Sequence, residues 1–227
     1  MPKRDLKNVW LALQIAAVTI GAYIVVLYLL LKQNHRLYIW LWRIDFVTFA
    51  VAYSLNVFWS LAGEPIRISR LMSIESMQFS FFALLWTIMP RHIVKLVPFM
   101  AISTLHIVDN FSKPLATKLS KPLSLVAGYS SLVILSVLVL DSLLVRRGGA
   151  ASLLLYGIFY RSRIMSYSLD KYCFLSVWDR LDQFMSSKQL PPKWQGHWND
   201  LRARIDSLAP AQTQNIPEQP ANSSKLS

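Results

Sequence analysis

The sequence predicts an all-α fold: a polytopic helical membrane protein with about four membrane-inserted segments, followed by C-terminal interfacial amphipathic helices. Three observations carry that expectation. First, 54% of the 227 residues are hydrophobic and only 16% are charged, where soluble domains carry about a quarter charged residues. Second, the apolar residues are gathered into blocks near the length of ~20 that crosses a bilayer core. Third, 24 Lys and Arg stand against 12 Asp and Glu, a net charge of +12. They flank the apolar blocks, where basic side chains meet anionic lipid headgroups. In a soluble chain the same charge would point to nucleic acid; the flanking pattern makes lipid the simpler partner, and no nucleic acid is expected.

The first segment, residues 9–31, holds no charged side chain, and Gln14 is its most polar residue. At 1.5 Å per residue it is ~34 Å long, enough to cross with some tilt. Lys3, Arg4 and Lys7 precede it and Lys32 and Arg36 follow. It is longer than the apolar core of a cleaved signal peptide, so it reads as a signal anchor. In the second block, Tyr38, Trp40 and Trp42 resemble an interfacial aromatic belt. Residues 37–43 are therefore placed in the headgroup zone and 44–62 across the membrane, with Gly63-Glu64-Pro65 as the stop. The third segment, 74–108, is interrupted by Pro90, Lys95 and Pro98, and its second half stays open between a re-entrant leg, an interfacial helix and a packed helix. Residues 112–122 form a basic loop bounded by Pro114 and Pro122. The fourth segment, 123–145, ends at Arg146-Arg147, and Gly148-Gly149 breaks the helix. This membrane region occupies residues 1–149.

The tail, residues 150–208, changes character. Residues 152–168 are aromatic and basic. Phe174, Val177, Trp178, Leu181, Phe184 and Met185 then recur at helical spacing; Phe174, Trp178, Leu181 and Met185 form a face for packing or for a partner. After Pro191-Pro192, Trp194, Trp198, Leu201, Ile205 and Leu208 make an apolar stripe with Arg202 and Arg204 beside it. Two tryptophans four residues apart, in a tail too small to bury much core, point to a helix lying in the headgroup plane. Trp and Leu would point down, and the Arg side chains up. Residues 209–227 are rich in Pro, Gln, Asn and Ser and read as disordered.

No nucleotide-binding glycine loop and no HExxH or paired-Cys metal signature is present. His35, His92, His106 and His197 are scattered, so no cofactor, metal or catalytic set can be assembled, and no enzyme is expected. Cys173 excludes an intrachain disulfide and reads as a small buried hydrophobe. Ionisable residues inside membrane segments are functional suspects. Arg43 and Asp45 lie two apart and diverge on one helix, near enough to its end for interface anchoring; Asp141 has Arg146 and Arg147 close by. If Arg43, Asp45 and Asp141 faced a cavity instead, the chain would be a small polytopic transporter or channel.

The order of these features resembles the transmembrane protein 33 family, the small endoplasmic-reticulum and nuclear-envelope proteins that include the fungal pore-membrane nucleoporins. The residues that carry it are PFMAISTLHIVDNFSK (98–113), the long segment 123–145, SLLLYGIFYRSRIMSYSLDKYCFLSVWDRLDQFM (152–185) and the helix 194–208. The resemblance implies non-enzymatic shaping of curved endoplasmic-reticulum and nuclear-envelope membrane. It implies roles in tubule organisation and nuclear-pore biogenesis, with reticulon-type proteins and nucleoporins as partners. Homo-oligomerisation stays open. The residues themselves agree on mechanism: short or asymmetric segments and a wedged amphipathic helix both add area to one leaflet. Four crossings would put both termini on one side, and their Lys and Arg favour the cytosol. Asn110-Phe111-Ser112 and Asn222-Ser223-Ser224 are glycosylation sequons that can report on topology.

Overall fold

The computed structural model describes residues 3–32, 35–61, 74–144, 149–166, 168–187 and 192–208. Those residues are all-helical, with no strand among them. The helices are α1 (Lys3–Leu29), α2 (Arg36–Leu61), α3 (Glu75–Ile88), α4 (Val97–Phe111), α5 (Lys113–Leu143), α6 (Gly149–Ser166), α7 (Ser168–Ser187) and α8 (Pro192–Leu208), with a 3₁₀ turn at Ile93–Leu96 before α4. The chain forms two compact units, Met1–Gly157 and Ile158–Ser227. Among the described residues three stretches are long and apolar enough to cross a membrane: Asp5–Leu29, Ile93–Phe111 and Lys113–Leu143.

The first unit is a bundle of helices that alternate in direction. Ring contacts fix the order. Trp10 near the start of α1 meets Trp59 near the end of α2 and His106 near the end of α4. Asn56 of α2 donates to Ser76 Oγ at 2.7 Å, and Trp42 Nε1 donates to the Trp86 carbonyl at 3.0 Å, so α3 runs antiparallel to α2. His92, before α4, pairs with Asp141 near the end of α5, so α5 returns against α4. Tyr156 of α6 donates to the Ser131 carbonyl at 3.1 Å, and α6 starts back along α5. At that last turn Gly149 lies against backbone: a Cβ there would sit 2.8 Å from the Asp141 carbonyl oxygen, so no side chain fits.

An aromatic spine fills this bundle. Tyr38, Trp42, Phe46, Phe49 and Tyr53 recur at four- and three-residue steps on α2 and are buried. They meet Phe79 of α3 and Phe99 of α4, while Phe82 and Trp86 meet Tyr156. Such rings at 5–6 Å contribute about 0.5–1.5 kcal/mol per pair beyond burial. Residues 37–43, expected in the headgroup zone, are the first turns of α2; Tyr38 and Trp42 belong to the core and Trp40 is exposed.

Two other boundaries move. Segment 74–108 is two antiparallel helices, because Pro90 ends α3 and Pro98 stands in the first turn of α4, where its missing N–H costs no hydrogen bond. The basic stretch 112–122, expected as a loop, is helical. Pro114 again occupies a first turn, and Pro122 is carried inside α5 among exposed Lys118 and Lys121, where water can serve the freed carbonyl. Residues 62–73 and 145–148, with the Gly63-Glu64-Pro65 stop and Arg146-Arg147, lie outside the described residues. So does the tail 209–227.

Candidate functional site

In the second unit α8 folds against α7, the two being four residues apart in sequence. The joint is compact. Trp178 of α7 and Trp198 of α8 stack with ring centroids 4.9 Å apart and planes 17° apart. Trp198 Nε1 donates to Asp182 Oδ1 at 2.9 Å, and Arg202 Nη1 lies 3.0 Å from Asp182 Oδ2. One carboxylate thus holds two residues of α8, one turn apart. Trp198, expected to face the headgroups, is engaged with α7 here. Trp178, expected on a face for packing or for a partner, lies against Trp198. Leu201 is exposed, Ile205 half-buried, and Arg202 and Arg204 exposed. On α7, Leu181 and Phe184 are exposed, while Phe174 and Met185 are half-buried. Trp194 and Leu208 lie within α8, but their side chains fall outside the described residues.

At the start of this unit Arg163 Nε and Nη2 both donate to Asp170 Oδ2 at 2.9 Å, a buried ion pair that ties the end of α6 to the beginning of α7. Cys173 is fully buried, as expected of a small hydrophobe. Burial, helped by the neighbouring Asp170 carboxylate, pushes its thiol up to about 11, which leaves it unreactive at neutral pH.

The bundle places its ionisable residues at two levels. At one end, three elements bring polar groups together. His92 Nε2 is 2.6 Å from Asp141 Oδ2. Lys95, buried, donates to the Pro90 carbonyl at 2.7 Å and lies 4.2 Å above the Trp86 ring. Ser152 Oγ donates to Met89 Sδ at 2.8 Å. Asp141, expected to serve the Arg146-Arg147 boundary, is buried and pairs with His92, while Arg146-Arg147 lie outside the described residues. Sequence spacing gave no hint of that pair, because 49 residues separate its members. Deeper in, Arg43 and Asp45 diverge as their spacing requires. Arg43 is exposed, but Asp45 is 0% exposed, so it does not snorkel to the interface. Neither Asp45 oxygen has a hydrogen-bond partner among the described residues, and neither do the Gln14 amide atoms on α1. Asp45 Oδ2 faces Gly21, where a Cβ would lie 3.4 Å from it and 3.2 Å from Met100 Sδ.

Among the described residues no three His, Cys, Asp or Glu side chains converge as metal ligands would. Around the spine the outward residues of α1, α2 and α5 are large and apolar, with Val26, Val51, Phe58, Val133 and Leu140 all exposed. Water would disfavour such a surface and lipid would not. Comparison of the chain with protein-family models, with curated proteins and with solved structures found no match.

Proposed function

We propose that this chain shapes or stabilises curved membrane without catalysing a reaction, and that it does so in the endoplasmic reticulum and nuclear envelope. The observation that carries the reading is the inequality of helices within one bundle. α3 has 14 residues and α5 has 31, or roughly 21 Å against 46 Å, where a hydrocarbon core is about 30 Å thick. A bundle whose members reach different depths occupies more area in one leaflet than in the other. The amphipathic pair α7–α8 adds to the same imbalance from the headgroup plane, through apolar side chains with arginines beside them.

The cellular address rests on the resemblance to the transmembrane protein 33 family, as do tubule organisation, nuclear-pore biogenesis and partnership with reticulon-type proteins and nucleoporins. The four-segment insertion becomes α1, α2, the α3–α4 hairpin and α5, with α6 returning along α5 so that both termini are cytosolic. Anionic headgroups are the lipid partner, matched to the +12 chain. The test is a tagged full-length chain imaged beside tubule and pore markers. The wild type concentrates at tubules and pores, and Trp194→Ala with Trp198→Ala spreads into flat sheets. An even distribution of the wild type over flat membrane overturns the reading.

One observation favours a second reading, a small transporter or channel. Asp45 is a carboxyl buried between α1, α2 and α4 with no hydrogen-bond partner among the described residues, the kind of group that lines ion pathways. Loss of a measured flux on neutralising Arg43, Asp45 and Asp141 together would support it; no flux in proteoliposomes removes it.

A further inference from the structure

The tail carries its amphipathic stripe in a form that cannot all reach lipid at once. Trp198 is the most lipophilic side chain described on α8, and its ring lies flat on Trp178 while its indole N–H is bound to Asp182. The same carboxylate holds Arg202 through its other oxygen. These three contacts are local to α7 and α8, and they join residues whose spacing on each helix puts them on one face: 178 and 182 on α7, 198 and 202 on α8. The bond to Arg202 is half-exposed, so ions and headgroups screen it and compete for it. An indole has a preferred alternative to this site, the membrane interface.

We propose that Asp182 is a latch: it holds α8 closed on α7 with Trp198 covered, and an anionic membrane surface opens it by taking over Arg202 and receiving Trp198. The proposal rests on the membrane-shaping reading and deepens it, since it makes wedge insertion by the tail conditional on the lipid below. Phosphate-bearing headgroups offer Arg202 a bidentate partner in place of one carboxylate oxygen. Once Arg202 leaves, the Trp198 stack and its indole bond to Asp182 hold the joint with one tie fewer. In the closed form Leu181 and Phe184 of α7 stay exposed, so the tail can touch a bilayer through α7 before α8 opens.

The test uses the full chain in liposomes. Leu201→Cys carries an environment-sensitive fluorophore; Cys173 is buried with its thiol raised to about 11 and is not labelled at neutral pH. In neutral-lipid vesicles the label reports water, and in vesicles containing phosphatidylserine it reports lipid, by a blue shift and a several-fold rise in emission. Asp182→Ala abolishes the difference by inserting in both. Trp178→Ala, which leaves α8 untouched, does the same and guards against misfolding of the first variant. Adding Trp198→Ala to Asp182→Ala removes most of the gain. If the unsubstituted tail inserts equally into both vesicles and neither variant changes it, the latch is wrong while membrane insertion stands. If the label stays in water in every variant and every lipid, the tail is no wedge, and the membrane-shaping reading loses that arm as well.

Discussion

Leu31 has φ 56°, a left-handed conformation that costs a branched side chain roughly 1–2 kcal/mol. It is held there by the end of α1, where Lys32 N donates to the Leu27 carbonyl and Leu31 N to the Tyr28 carbonyl, the pair of bonds of a Schellman cap. Glycine suits that position, and Leu31 is largely exposed, so little packing is lost. Leu31→Gly is expected to raise the unfolding free energy by up to about 1 kcal/mol, read from denaturant unfolding in detergent. Asp45 is the opposite case: a buried acid with no hydrogen bond to lose. Asp45→Asn keeps its shape and removes the cost of any buried charge, so the thermal midpoint should hold or rise. A fall would mean that the carboxyl has a partner and would favour the transport reading. Neither feature was legible in the sequence. Leu31 looks like one more apolar residue, and the depth of Asp45 depends on which way α2 turns its stripe.

At the scale of elements, polar bonds locate α3 on α2. Trp42 satisfies the Trp86 carbonyl in the last turn of α3, a group the helix itself leaves free. Ser80 Oγ meets the Ala50 carbonyl at 3.0 Å and Ser54 Oγ at 2.7 Å. Trp42→Phe keeps a ring beside Phe46 but loses the first bond and part of a fully buried side chain, so about 2–3 kcal/mol of stability should go; thermal unfolding of the purified variant checks it. The long apolar stretches of α1 and α5 could be read directly, since their length and lack of charge leave few alternatives. That residues 192–208 form the helix α8 was legible in the spacing of their apolar residues. What its tryptophans touch was not, because one stripe serves a bilayer or a neighbouring helix equally well, and Trp198 takes the helix. The helical start of α5 was missed because Pro114 and Pro122 signal a loop by composition, yet a first-turn proline suits a helix and an exposed one is tolerated.

For the whole molecule, alternation of α1 to α4 brings the α4–α5 turn to the same end as the start of α1. Lys113, Lys118 and Lys121 follow that turn, and Asn110 is exposed beside it. Four crossings with a cytosolic N-terminus would put these lysines on the lumenal side, against the positive-inside rule. Splitting residues 74–108 into two antiparallel legs removes the conflict, and it follows from Pro90 acting as a terminator, not as a kink. With a cytosolic N-terminus, Asn110 should therefore stay unglycosylated in microsomes, and modification there would refute this topology. The central claim is curvature, and the most direct measurement is the density of labelled full-length chain on a membrane tube drawn from a giant vesicle, compared with the parent vesicle. The bundle of unequal helices predicts enrichment on the tube that grows as the tube narrows; equal density at every radius would contradict it.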